Sequence, residues 1–322
     1  MKTLRFLPLI GLVVFFFILW NINWNEMFSL FGKLYLPLLV LVPILEAPIV
    51  AIKAFKWNVL LRPYGTSLSL RRAMSLWLIG FFTGIITPGR MGDFLRAYYI
   101  KDRLPLGKAV ATVAADRIID ILVLFVLSLL GLVLFSSYYA SDYLNAMILV
   151  VSTFLALFIL AFYAFTKKGV ASGLLRPLFR SFVPSRYKRK VSNTFHEFYD
   201  GFYMLRREMK VIFVSLLLSI LSWILTIVKV YILSVATGIN LPFVFVACVL
   251  PVITLLDVLP ISFSGVGTRD VALIIFFSFL SLSAEGAVLF SFMILIFNYV
   301  VSAVFGLTLW LKNPVKLNLD QS

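Results

Sequence analysis

The chain has 322 residues, of which 62% are apolar and only 13% are charged, and its formal net charge is +15. Ordinary soluble domains carry about 45–50% apolar and about 25% charged residues, so this composition excludes a water-soluble protein and indicates a membrane protein. A single His and a single Cys cannot form the ligand cluster of a zinc, haem or iron–sulfur centre, and we expect no cofactor and no metal.

The net charge would suggest nucleic acid as the partner of a soluble protein, but most of it lies outside the apolar segments. The 24 basic and 8 acidic residues outside these segments are typical of cytoplasmic loops that face anionic lipid. We therefore expect membrane lipids, and not nucleic acid, as partners. With Lys53, near the end of one apolar segment, counted among the loop residues, eleven ionisable residues fall inside these segments: Glu46, Arg90, Asp93, Arg96, Asp116, Arg117, Asp120, Lys229, Asp257, Arg269 and Asp270.

Apolar segments near the roughly 20 residues that a membrane-spanning helix requires follow one another along the chain. The first resembles a signal peptide, but the polar residues after it offer no small-residue cleavage site, so we predict a retained span. Six segments are uninterrupted: residues 6–20, 34–55, 109–135, 144–166, 211–236 and 287–311. The sequence predicts an all-α, polytopic helical bundle that forms one transmembrane domain over residues 1–322.

Two further apolar segments, residues 73–100 and 242–282, are interrupted by Gly, Pro and polar residues at 87–92 and 260–267. If the first of them crossed the membrane fully, the basic loop 167–210 would lie outside, against the positive-inside rule. If it enters from the cytoplasm and returns there, every basic loop is cytoplasmic, and the second segment becomes a hairpin that returns to the outside. We predict cytoplasmic N- and C-termini and a location in the cell membrane.

Paired breaks at corresponding positions of two chain halves indicate a binding site near the middle of the membrane in inverted-repeat transporters. The repeat is weak in sequence, since the two breaks share only glycines followed by an arginine and an aspartate. We interpret the broken segments as re-entrant hairpins that enter from opposite faces. The alternative is a pair of kinked helices in which glycine permits tight packing.

The basic loop contains an amphipathic pattern. Apolar residues recur at spacings of four and three, opposite basic residues: Val191, Phe195, Phe198, Phe202 and Leu205 on one face, and Lys190, Arg206 and Arg207 on the other. We predict a helix in the headgroup plane, and the alternative is a surface helix packed on the bundle. The lone His196 is interpreted as a solvated or interfacial side chain.

Charges in the apolar segments require partners, because one charge at a helix centre costs roughly 2.5–3.5 kcal/mol. Asp116 and Asp120 are four residues apart and share a helix face, which we predict to be directed into the bundle. Arg117 can pair with Asp120 or with a group on another helix. Either a structural ion-pair network or contact with substrate explains this cluster.

At each break the chain leaves and re-enters helix, so helix starts near Gly92–Asp93 and Gly267–Thr268 would direct unpaired N–H groups into the membrane. Such ends attract anions, and guanidinium groups suit phosphate oxygens. The candidate binding residues at the breaks are Arg90, Asp93, Arg96, Arg269 and Asp270, with Gly89, Gly92, Gly265 and Gly267 for close backbone approach. In the alternative, the two aspartates satisfy the helix starts and neutralise the arginines.

Three other charges are candidates for proton or ion coupling. Glu46 lies between Pro43 and Pro48, where we expect the helix to bend and free carbonyl groups. Asp257 and Lys229 could pair with each other or couple transport to protons.

These motifs resemble the lysylphosphatidylglycerol synthase transmembrane-region family, a flippase-like domain that also occurs in multiple-peptide-resistance lipid synthases. The resemblance is carried by TPGRMGDFLR at 87–96, ADRIID at 115–120, and LP at 259–260 with SGVGTRD at 264–270. The family often has Glu where Asp93 and Asp270 stand, which keeps the charge.

The resemblance implies a membrane domain that moves phospholipids or polyprenyl-phosphate-linked lipids between leaflets. It also implies that the soluble aminoacyl-transferase domain of the synthases is missing, because only residues 312–322 follow the last span. We expect a transporter of an anionic lipid, with no catalytic residue. The alternatives are a membrane enzyme or accessory protein that transfers a sugar or headgroup on a lipid carrier, and a scaffold whose internal charges only hold helices together.

Overall fold

The computed structural model describes residues 7–166, 188–258, 262 and 264–312, and these residues form helices joined by short connections, with no β-strand. The helices are α1 Leu7–Asn21, α2 Trp24–Phe31, α3 Leu36–Leu61, α4 Leu70–Ile85, α5 Leu95–Tyr98, α6 Leu106–Tyr138, α7 Asp142–Thr166, α8 Lys188–Arg207, α9 Met209–Ala236, α10 Phe243–Val258, α11 Thr268–Ser278, α12 Ala284–Ile294 and α13 Val301–Lys312. A 3₁₀ turn at Pro88–Phe94 precedes α5, and a π-helical turn at Leu295–Val300 joins α12 to α13.

Among the described residues, five helices are long and apolar enough to cross a membrane: Leu36–Tyr64, Leu106–Tyr138, Asp142–Ala164, Met209–Ala236 and Ala284–Lys312. They correspond to five of the six predicted uninterrupted segments. The sixth, residues 6–20, corresponds to the 15-residue α1, whose role as a span stays a prediction. The protein is therefore an all-α, multi-pass membrane protein.

The first and second halves of the chain contact each other through corresponding pairs of helices. Helices α3 and α9 pack along each other in the middle of the bundle. Helix α6 of the first half packs on α10 of the second, and α13 of the second half packs on α4 of the first. Likewise α8 packs on α6, and α2 packs on α12. Each half thus places the first helix of its broken segment against a helix of the other half.

Glycine permits these close contacts between helices of the two halves. A Cβ atom on Gly131 of α6 would collide with the backbone of Cys248 in α10, and one on Gly306 of α13 would collide with the backbone carbonyl of Leu78 in α4. Both crossings bring two helix backbones together at a position where only glycine leaves room.

The first break differs in detail from the prediction. The helix after it begins at Leu95, not near Gly92–Asp93, because the 3₁₀ turn Pro88–Phe94 precedes it and contains left-handed conformations at Gly89 (φ 61°) and Arg90 (φ 56°). Thr87 ties the turn together, since its Oγ1 accepts a hydrogen bond of 2.7 Å from the Gly92 N–H.

The second break agrees better. Helix α11 begins at Thr268 with Gly267 as its N-cap, as predicted, and Gly267 has a φ of 86°. Residues 259–261 and 263 of the predicted break and of the family motif lie outside the described residues.

The amphipathic segment is helical and packs on the bundle along α6. Tyr64 Oη donates to the Gly201 carbonyl at 2.5 Å, and the Gly107 N–H donates to the Glu197 carboxylate at 3.0 Å. Tyr199 and Leu205 are buried, whereas His196 is exposed. These contacts agree with the alternative of a packed surface helix. Residues 167–187 lie outside the described residues, as do the side chains of 188–191, which include Lys190 and Val191 of the predicted amphipathic pattern.

Candidate functional site: a charged cavity between the two halves

A cavity of about 230 Å³ lies where the first break meets both halves of the bundle. Its wall combines residues of α3, α4, α6, α9 and α10 with the π-helical turn before α13. The charged residues on the wall are Glu46, Lys53, Arg90, Arg117, Asp120 and Lys229, and the polar ones include Thr226, Thr254, Asn298 and Tyr299. The cavity is thus a charged space among helices that are otherwise apolar.

An ion-pair network around Asp116 lies directly behind the residues of this wall. Lys56 Nζ lies 3.0 Å from Asp116 Oδ1 and also pairs with Asp120, whose Oδ1 accepts a 2.6 Å hydrogen bond from Ser219. Arg96 Nη2 donates to Asp116 Oδ2 at 2.5 Å. Lys56, Arg96 and Asp116 are fully buried, so their contacts are with protein and not with a ligand.

Arg90 and Arg117 connect the first break to this network through the buried Asp93. The Nε atom of Arg117 lies 3.4 Å from Asp93 Oδ2, and that of Arg90 lies 3.8 Å from the same oxygen. The guanidinium of Arg90 also lies 5.0 Å from the centre of the Phe81 ring. Nε and Nη2 of Arg90 and Nε of Arg117 make no hydrogen bond among the described residues, although both Nε atoms are within ion-pair distance of Asp93. Both side chains remain partly exposed, at 28% and 19%, and line the cavity.

Glu46 and Lys229 form a separate ion pair across α3 and α9. The carboxylate of Glu46 binds Lys229 Nζ with one oxygen and accepts a 2.8 Å hydrogen bond from Ser302 with the other. The predicted option of a pair between Lys229 and Asp257 is therefore wrong in this structure. The pair joins the central helices of the two halves at the wall of the cavity.

The second break is neutralised within the protein. Arg269, 1% exposed, donates to Asp257 Oδ2 at 3.2 Å and to Ser291 Oγ at 3.0 Å. Tyr299 Oη donates to the same Asp257 oxygen at 2.6 Å. Asp270 accepts a 2.7 Å hydrogen bond from the Gly267 N–H. It therefore satisfies the start of α11, which agrees with the alternative that the aspartates at the breaks cap the helix starts.

The structure thus brings most of the predicted site residues together. Gly89, Arg90, Arg117, Asp120, Glu46 and Lys229 line the cavity, and Asp93, Arg96, Asp116 and Asp257 are in ion pairs with or beside them. Arg269, Asp270 and Gly267 do not line it. Gly92 packs against the Thr83 backbone, and Gly265, with φ 81°, packs against the Asp257 carboxylate.

Sequence reasoning missed four residues of the site. Lys53 and Lys56 lie at the end of an apolar run, where composition groups them with the loops, although α3 continues to Leu61 and places them inside the bundle. Asn298 and Tyr299 lie in an apolar segment without a charge. Sequence spacing could have identified the two lysines. Lys53 follows Glu46 by seven residues and Lys56 follows Lys53 by three, and these helical spacings place the three charged groups on neighbouring parts of one face of α3.

The comparison with known proteins agrees with this architecture. The family described as the lysylphosphatidylglycerol synthase TM region matches residues 7–306. The chain belongs to that family. Its predicted resemblance is thereby confirmed.

Three archaeal relatives are similar over most of their length. A UPF0104 membrane protein of Methanothermobacter thermautotrophicus is 28% identical over 74% of this chain and 75% of its own. One of Methanocaldococcus jannaschii is 25% identical over 83% and 82%, and one of Pyrococcus horikoshii is 24% identical over 95% and 96%. No solved structure matches the chain.

Proposed function

We propose that this protein moves lipids with an anionic headgroup, either phospholipids or polyprenyl-phosphate-linked lipids, between the two leaflets of the membrane. The observation that carries the proposal is the cavity between the two halves, which Arg90 and Arg117 line with partly exposed guanidinium groups whose hydrogen-bonding capacity is not filled by the described residues. The family name associates such domains with membrane lipids.

The physical argument concerns the headgroup, which is the part of a lipid that the hydrocarbon core rejects. Moving a charge into that core costs several kcal/mol unless it is paired, on the order of 2.5–3.5 kcal/mol per charge at a helix centre. The cavity offers an anion fixed positive partners inside the bundle, while the acyl chains of the lipid stay in the bilayer. A headgroup path of this kind lowers the barrier to translocation without a chemical step.

The distribution of the acidic residues supports transport over a transfer reaction. Asp116 is fully buried beneath Lys56 and Arg96, which leaves it no contact with a substrate. Asp120 reaches the cavity, but its Oδ1 already binds Lys56 and Ser219. A general acid or base must reach the proton that it transfers, which Asp116 cannot do, and Asp120 has one of its two carboxylate oxygens engaged in this way.

The proposal includes a topology in which the two broken segments are re-entrant hairpins and both termini lie in the cytoplasm. Cysteine labelling in intact cells tests it, in a background where Cys248 is replaced by serine. Lys101→Cys and Ser192→Cys, both at exposed residues, should react only after the membrane is permeabilised, whereas Ser141→Cys should react without this treatment. Labelling of Lys101→Cys and Ser192→Cys from different sides would contradict the topology.

Reconstituted vesicles test the transport itself. Phosphatidylglycerol or phosphatidic acid with a fluorescent acyl chain is placed in both leaflets, and loss of the inner-leaflet signal to an external quencher reports translocation. The wild type should translocate both lipids faster than protein-free vesicles, and Arg90→Gln should slow this at least tenfold. Arg103→Gln, at an exposed residue outside the cavity, is the matched control. Equal rates for wild type and Arg90→Gln would refute the role of the cavity.

A further inference from the structure

We infer that the cavity takes a phosphate group that carries two negative charges, as in a phosphomonoester or a diphosphate lipid, in preference to the singly charged phosphodiester of an ordinary phospholipid. This inference rests on the proposed function, because it concerns the same cavity. It follows from a count of the charges that line the cavity or pair with its wall.

The network at the first break contains one positive charge more than it can neutralise. Its cations are Lys56, Arg90, Arg96 and Arg117, and its anions are Asp93, Asp116 and Asp120, all joined by ion pairs of 4 Å or less. Four cations share three carboxylates, and two of these cations, Arg90 and Arg117, are on the cavity wall.

Lys53 adds the second positive charge. It lines the cavity and lies 5.5 Å from the centre of the Trp77 ring, and within the described part of the chain no carboxylate lies within 4 Å of its ammonium group. The other two pairs, Glu46 with Lys229 and Asp257 with Arg269, are each neutral. Around the cavity the formal excess is therefore two positive charges.

Asp270 does not reduce this excess at the cavity. Its carboxylate binds the Gly267 N–H, at the positive end of α11, and it is not on the wall. A singly charged headgroup would thus leave one positive charge unpaired in the interior of a membrane protein, whereas a doubly charged one would balance the site.

The hydrogen-bonding capacity of the wall points the same way. Of the two carboxylates on it, Glu46 is engaged at both oxygens, by Lys229 and Ser302, and Asp120 is engaged at Oδ1, by Lys56 and Ser219. The free capacity lies on the donors of Arg90, Arg117 and Lys53, together with the amide of Asn298, whose two ends can donate or accept. A phosphate dianion offers only acceptors, and guanidinium and ammonium groups are the usual partners for it.

The test compares two lipids that differ by one methyl ester. Purified protein in phosphatidylcholine nanodiscs is titrated with dioleoyl phosphatidic acid, a phosphomonoester, and with dioleoyl phosphatidylmethanol, its phosphodiester counterpart. At pH 7 the monoester should bind at least tenfold more tightly. Near pH 5 the preference should disappear, because a phosphomonoester with a second pKa near 6 then carries one charge.

A lysine variant locates the preference in the cavity. Lys53→Met lowers the excess charge from two to one, so it should reduce the monoester preference about tenfold and leave diester binding within about twofold of the wild type. Lys210→Met, at an exposed lysine, should change neither. Equal binding of both lipids by the wild type at pH 7 would overturn the inference, as would a preference that Lys53→Met leaves intact.

The outcomes separate this inference from the proposed function. If the lipids bind equally while translocation still depends on Arg90, the phosphate class is wrong and the proposed transport stands. Inorganic phosphate serves as a further probe at pH 7. Weak competition by inorganic phosphate supports a lipid ligand, whereas competition at the concentrations effective for phosphatidic acid supports the dianion class but contradicts transport of a lipid.

Discussion

The two backbone breaks are built from the same pattern of glycine, arginine and aspartate, but their arginines have different surroundings. Arg90 at the first break has a left-handed backbone, lines the cavity with a side chain that is 28% exposed, and makes only a loose ion pair of 3.8 Å with Asp93. Arg269 at the second break is buried and is paired with Asp257 and Ser291. A motif shared by two halves of the chain therefore does not assign equal roles to its residues.

The glycines of the two breaks also differ in how much space surrounds them. Gly89 has open space around it, since nothing lies within 4 Å of a Cβ added there. Gly267 has none, because a Cβ there would collide with the carbonyl of Gly11 in α1. The first break faces a space that a ligand can enter, and the second is closed by a helix of the protein itself.

The largest effect on stability is expected from breaking the pair at the second break. Arg269→Met leaves Asp257 buried without its cation and should lower the free energy of unfolding by about 3–5 kcal/mol. The double variant Arg269→Met/Asp257→Leu should recover most of this loss, because a buried ion pair can be replaced by apolar residues at little cost. Thermal unfolding of the purified proteins measures both. A double variant as unstable as the single one would show that the pair is not the cause.

Replacing a glycine at either break by alanine should lower the free energy of unfolding by a smaller amount, and this amount should differ between the breaks. Gly267→Ala combines a left-handed backbone with a collision against α1 and should cost about 2–3 kcal/mol. Gly89→Ala meets no neighbour, so it should cost only the left-handed penalty of about 1 kcal/mol. The same unfolding measurement compares them. Equal losses would mean that the second break is no more tightly enclosed than the first.

The smallest effect on stability, and the clearest separation of stability from function, is expected at Arg90. Arg90→Gly relieves the left-handed strain of a non-glycine residue, so stability should stay within about 1 kcal/mol of the wild type or rise. Translocation should nevertheless fall at least tenfold in vesicles, since the guanidinium is lost from the cavity. A variant that is strongly destabilised, or that transports at the wild-type rate, would place Arg90 with Arg269 as a structural residue.

The sequence is sufficient for the parts of the fold that depend on local composition. The apolar runs predict the helices α6, α7 and α9, and clusters of Gly and Pro locate both interruptions, because a helix in lipid cannot leave its hydrogen-bonding pattern without such residues. The start of α11 at Thr268 follows from Gly267 in the same way.

The pairing of charges could not be predicted, because it depends on which helices meet. Lys229 binds Glu46, which lies 183 residues away, and not Asp257 in the neighbouring helix. Lys53 and Lys56 resemble loop residues in sequence, because two lysines so close together end an apolar run. Only packing against α6, where Asp116 and Asp120 receive Lys56, makes the burial of Lys56 possible.

The most direct test of the central claim is a cryo-electron microscopy map of the protein in nanodiscs that contain phosphatidic acid, with a bound antibody fragment to aid alignment. We predict density for a phosphate group in the cavity, within hydrogen-bonding distance of Arg90 and Arg117 and continuous with acyl chains that lead to the bilayer. A cavity that contains only water, or lipid phosphate bound at Arg269, would contradict the account.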